Sequence, residues 1–158
     1  QVELRELLPL PVGSVPALRL LELQGQFRPT DTRVAVDRAV ISGMMSYKAV
    51  CATTDENTGE EQVVIHRWDD FARLELGAEI LGSRQGMLIY PKVAPPVISG
   101  RLVSDGQMVA VEGILACMAK VTQPLDITVA TELSAETEIE VGVRRESIKV
   151  QQRGDAEP

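Results

Sequence analysis

The sequence predicts an all-β protein: a jelly-roll-like β-sandwich of short antiparallel strands with an extended N-terminal arm. Three observations carry this prediction. Runs rich in Val, Ile and Thr recur along the chain, as in Ala39 to Thr53, Gln62 to Trp68 and Gln107 to Thr122. Polar clusters with turn chemistry separate them, notably "DENTGEE" at residues 55 to 61 and Ser104-Asp105-Gly106. Helical periodicity is nearly absent. A length of 158 residues suits one domain with tails, and 44% hydrophobic residues suffice for a core. Only 3% are aromatic, so aliphatic side chains and Met must fill that core.

The N-terminal segment, "QVELRELLPLPVGSVPALRLLEL", is apolar and broken by Pro9, Pro11 and Pro16. Glu3 to Leu8 has the composition of a short helix, but the prolines deny it length. The segment is too apolar to stand in water. Two placements remain open: an edge strand on its own core, or addition to the sheet edge of a neighbouring subunit. In the second case Val2, Leu4, Leu7, Leu8, Leu10, Val12 and Val15 are the candidate assembly residues, and a chain lacking residues 1 to 16 stays folded, soluble and monomeric.

Arg33 to Val36 and Ala39 to Thr53 are predicted strands, with Asp37-Arg38 as the turn or kink between them. Ala72 to Leu76 alternates as a strand, and residues 77 to 86, with Gly77, Gly82 and Gly86, form a loop. Met87 to Val93 is a strand that stops at Pro95-Pro96, and Val97 to Leu102 continues extended. Leu125 to Glu132 and Glu138 to Gln151 complete the set, with a turn at 133 to 138. The chain therefore divides into an arm (1–17), a β domain (18–122), additional strands (123–151) and a polar tail (152–158). "DRAVISG" at 37 to 43 echoes "GQMVAVEG" at 106 to 113, as two core strands of one sandwich do. A glycine inside each marks a bulge or a close backbone approach.

A formal net charge of −7 argues against nucleic acid as a partner, since there is no counterion release to gain on a phosphate backbone. No basic amphipathic stretch suits an anionic membrane. The longest apolar candidate for a span, Leu7 to Leu23, is broken by prolines and charges. No signal-peptide pattern follows Gln1.

Catalytic constellations are missing. His66 is the single histidine, without a local nucleophile or acid partner. His66, Cys51 and Cys117 are too few for a structural zinc site. Asp69-Asp70 and Glu60-Glu61 are adjacent carboxylates that point to opposite faces of a strand. Gly82 to Gly86 lacks the lysine and helix of a phosphate loop. No cofactor and no enzymatic activity are expected. Cys51 and Cys117, near matching ends of the echoed segments, are either a candidate disulfide or two buried thiols.

"VAVDRAVISGMMSYKAV" (Val34 to Val50) resembles the strand signature of the SPOCS domain family, in which an Asp-Lys pair precedes an alternating strand, a glycine, and a Lys and Tyr. "VVIHRWDDFARLELGAEILGSRQGM" (Val63 to Met87) is similar to the family's next segment, and "VSDGQMVAVEGILACMAKV" to its closing strands. Asp37, Gly43, Tyr47, Phe71, Gly77, Gly86 and Met87 carry the likeness, which covers residues 18 to 122. Here Arg38 replaces the usual Lys, Asp70 stands for a proline, and the loop between Gly77 and Gly86 is longer.

The resemblance implies a protein of endospore-forming bacteria, made in the mother cell and located at the spore surface or coat. The expected function is a self-assembling structural subunit of a spore envelope layer or surface fibre, joined by strand addition. Its partners are then itself, as a homopolymer, and other spore-envelope proteins. Two alternatives stand beside it: a non-polymerising adaptor that docks one spore-coat protein, and a peptidoglycan- or carbohydrate-binding sandwich using Trp68, Tyr47 and Tyr90.

Overall fold

A computed structural model describes residues 1–130 and 145–156, with side chains through residue 123. These residues form nine strands and no helix: β1 (Val2–Pro9), β2 (Ala17–Ala35), β3 (Arg38–Thr54), β4 (Glu61–Glu79), β5 (Leu88–Val93), β6 (Val97–Val103), β7 (Met108–Leu115), β8 (Cys117–Ala130) and β9 (Arg145–Ala156). They make three three-stranded sheets in the orders β1-β7-β6, β2-β3-β4 and β5-β8-β9. Every pairing is antiparallel.

The all-β antiparallel class is as the sequence predicts. The strands of the meander are not short, however: β2 and β4 have 19 residues each and β3 has 17. β2 runs unbroken through "LRLLELQGQFRPT", which the arm reading had partly set aside, and irregularities near Leu18, Leu21 and Thr30 absorb its length. Polar residues from Gln152 to Ala156 lie in β9 rather than in a tail. The expected turn at 133 to 138 lies outside the described residues.

β3 shows why the meander holds. Its odd-numbered positions Ala39, Ile41, Met45, Tyr47, Ala49 and Cys51 are buried, the period of two that places one face on a core. Gly43 interrupts the series because a Cβ there would collide with the Arg28 carbonyl and the Phe27 ring. The glycine thus marks a close approach, and the bulge falls further on. Between the pairs Met45↔Ala72 and Tyr47↔Trp68, β4 carries extra residues opposite Ser46. Asp70 takes a left-handed φ of 48° there, its N–H donates to Ser46 Oγ at 2.9 Å, and Arg28 pairs with its carboxylate at 2.9 Å. Two extra residues keep even-numbered β4 positions inward on both sides of the kink.

Turn chemistry closes the hairpins where the sequence places it. Asp37, at φ 56°, accepts from Gly82 N–H through its carboxylate at 2.6 Å, donates from its own N–H to the Ser83 carbonyl at 3.0 Å and accepts from Ile80 N–H at 2.9 Å. In the Asp55 to Glu60 turn the Asp55 side chain accepts from Asn57 N–H at 2.8 Å. Ser104 and Asp105 both have positive φ, the two-residue hairpin geometry.

The second layer is one long hairpin. β5 and β6 run back along β8 and β7, interrupted at Pro95-Pro96 and at Ala116, where Ala94 N–H donates to the Ala116 carbonyl at 3.0 Å. Its inner residues Val109, Val111, Leu115, Ala119 and Val121 share one core with Ile41, Met45 and Leu76 of the meander.

The extended N-terminal arm is not observed. Residues 2 to 9 form β1, paired with β7 of the same chain from Val2↔Leu115 to Pro9↔Met108. The cause is alternation: Leu4 and Leu8, at 2% and 0% exposure, enter the shared core, while Arg5 and Leu7 face out. A chain lacking residues 1 to 16 therefore loses part of its core and does not remain a well-folded monomer. Leu8→Ala is expected to cost about 2–5 kcal/mol in a denaturant titration, and Leu7→Ala, at the exposed neighbour, less than about 0.5 kcal/mol. Equal losses at both positions would contradict this placement of β1.

Candidate functional site

The most reactive feature of this fold is backbone, not side chain. Each sheet has one central strand and two lateral ones, so β1, β6, β2, β4, β5 and β9 each present a margin with backbone N–H and C=O groups unpaired within their own sheets. These margins differ in protection. β2 packs across β6 and β5 and carries Pro29. β5 contains Pro91. β1 points Glu6 inward between Leu4 and Leu8, where it is half-buried. An inward charge of this kind discourages foreign pairing.

The first half of β4 has the least protection. "EQVVIHRW" (Glu61 to Trp68) is a β-branched run without proline or bulge, ending where the Asp70 kink begins. Val63 and Ile65 face solvent at 63% and 54% exposure. Leu18 and Leu21 of neighbouring β2 are also exposed. An exposed ion pair between Arg19 and Glu61 flanks this end of the sheet. A long apolar margin of this kind is a template for another strand. The sequence identifies this run as a strand, but nothing in it says that the strand is lateral; that follows only from the β2-β3-β4 order.

The arm residues are divided by β1 and its connector. Leu4 and Leu8 are core, Val2 packs against it, and Leu10 joins a small cluster with Ala17, Ala49 and Cys51. Leu7 and Val12 are exposed and Val15 is half-buried. The candidate disulfide is not formed: Cys51 and Cys117 are both free and buried. They lie on β3 and β8, in different sheets and different clusters. Burial pushes both thiols up, which leaves little thiolate for exchange.

The family-motif residues prove to be architectural. Asp37 ties the β2–β3 turn to residues 80 to 83. Gly77 leaves room for the Arg38 guanidinium, and Gly86, with φ 93°, precedes Met87, which packs on the core. Tyr47 is buried and meets Phe71 edge-on at a centroid distance of 6.2 Å. The aromatics suggested for a sugar platform do not share a surface. Tyr47 is inside, Trp68 is half-buried with Nε1–H donating to the Pro9 carbonyl at 2.7 Å, and Tyr90 stands alone on β5. His66 lies obliquely beside Trp68 at 6.1 Å, and burial pulls its pKa down. Among the described residues no three His, Cys, Asp or Glu side chains gather as a metal site. No helix among them is long and apolar enough to cross a membrane, which has no bearing on crossing by strands.

No family model, curated protein or solved structure matches this chain.

Tyr47 yields a test of the interior. Its hydroxyl has no hydrogen-bond partner, and burial, with the Glu6 carboxylate adding to it, pushes the phenol up to about 12. The unfolded phenol ionises near pH 10, so its contribution is full below that pH and is lost between pH 10 and about 12. Urea midpoints measured across this range are expected to fall less steeply in Tyr47→Phe than in the parent. At pH 7 the variant is expected to be at least as stable, because it removes an unpartnered buried hydroxyl. A Tyr47→Phe variant with an unchanged alkaline slope would contradict this reading.

Proposed function

We propose that this chain is a structural subunit that assembles with copies of itself by β-strand addition at its sheet margins. The carrying observation is the margin of β4 from Glu61 to Trp68, apolar, straight and unprotected, in a fold whose buried side chains are all accounted for by packing and turns. Pairing there satisfies backbone groups that water otherwise serves, and buries Val63 and Ile65. The location in a spore envelope layer or surface fibre, with other spore-envelope proteins as further partners, is supported by the SPOCS-like pattern of residues 18 to 122.

The adaptor reading uses the same margin for one foreign strand. Sizing at several concentrations separates the two, because an adaptor stays small at every concentration. Replacing Val63 and Ile65 together by Lys adds two charges to the margin without touching the core. The double variant is expected to remain folded, with stability within about 1 kcal/mol of the parent, and to lose concentration-dependent association in sedimentation. Association equal to the parent's would rule out this margin.

A further inference from the structure

We propose that the lane beside β7 receives the β1 strand of a second copy, entering in line with β9, so that copies join head to tail. This rests on the self-assembly proposed above and specifies its acceptor.

The observation is one of register. β7 and β8 are a single long strand interrupted at Ala116. Its one flank carries β6 and β5, and its other flank carries β1 and β9. β1 and β9 both run antiparallel to it, and therefore in the same direction as each other. β9 ends with Ala156 opposite Ala119, and β1 begins with Val2 opposite Leu115. The acceptor residues left between them are Ala116, Cys117 and Met118. The residues between Ala156 of one copy and Val2 of the next, when the ends are laid in series, are 157, 158 and 1. Three acceptor positions thus meet three residues of chain, without slip or slack. The α-amino group of Gln1 is also close enough to Cys117 to act on its thiol, which places the start of β1 in that gap.

β1 makes the same contacts whichever copy supplies it: the β7 register, the Leu4 and Leu8 seats, and the Pro9 carbonyl under Trp68. Only the connector from Leu10 to Pro16 differs. In the closed chain its ends are pinned, Leu10 N–H to the Gln107 carbonyl at 3.0 Å and Ala17 N–H to the Gly106 carbonyl at 2.8 Å. Between them the chain must reverse, with Ser14 N–H on the Pro11 carbonyl at 3.0 Å, Gly13 at φ 83° and Val12 wholly exposed. Pro9, Pro11 and Pro16 favour an extended path instead, which carries these residues about 20 Å toward a second body. Exchange relieves the reversal and costs mainly association entropy. Pairing of two identical β4 margins is isologous and stops at a dimer, whereas this head-to-tail contact is heterologous and propagates.

The test uses the full chain. Arg5→Cys and Glu112→Cys, which are directly opposite in the β1–β7 register, are prepared separately, unfolded together, refolded at assembling concentration and oxidised. Covalent heterodimer is expected as the main product, with the parent, whose own thiols are buried, uncrosslinked. A second variant joins Pro158 directly to Gln1 and opens the chain in the Asp55 to Glu60 turn. It is expected to fold and to lose head-to-tail growth, because its first strand is captive. Assembly of the parent without heterodimer, growth of the closed variant equal to the parent's, or failure of the closed variant to fold would each overturn the inference. A parent that never assembles would instead overturn the function proposed above, and this inference with it.

Discussion

Backbone saturation is the constraint on which this structure turns. Three sheets of three strands satisfy both flanks only of β3, β7 and β8, and the core is built around these central strands. The lateral strands must be held by side chains from one face and by a single hydrogen-bonded neighbour. That explains the devices spread along them: the Asp70 kink with its Ser46 and Arg28 contacts, the inward Glu6, and the prolines of β2 and β5. It also explains why the stretch of β4 before the kink stands out. There the usual devices are missing and the outward residues are Val63 and Ile65.

The long β7–β8 strand links that constraint to the chain ends. It takes partners on both flanks along most of its length, and its flank opposite β5 and β6 is shared by the first and last strands of the described chain. β1 is the more consequential of the two, because Leu4 and Leu8 complete the core between the layers. A strand that is both lateral and essential to the core is a natural unit of exchange: its seat must be filled, and identical copies fill it equally well.

Much of this was legible in the sequence. The three turns were marked by residues whose chemistry the structure uses directly, Asp37 through its carboxylate, Asp55 through its side-chain acceptance, and Ser104-Asp105-Gly106 through positive φ. The alternation of β3 announced its buried face, and Gly43 its close approach to Phe27. The N-terminus misled because its prolines are louder than its pattern. They lie at the end of β1 and in the connector, and leave the Leu4–Leu8 alternation intact. The cysteines ended their echoed strands at similar places, but those strands belong to different sheets, which spacing along the chain cannot express. The lateral position of β4 was equally invisible, since neighbours in a sheet are a property of the assembled topology.

Amide hydrogen exchange at residues 61 to 68 of β4, measured from dilute to concentrated protein, tests the account most directly. Strand addition at this margin predicts that outward-directed amides, exchanging freely in dilute solution, become protected as concentration rises, while the amides of β3 stay protected throughout. Exchange along β4 that is independent of concentration, in protein that nevertheless associates, would contradict it.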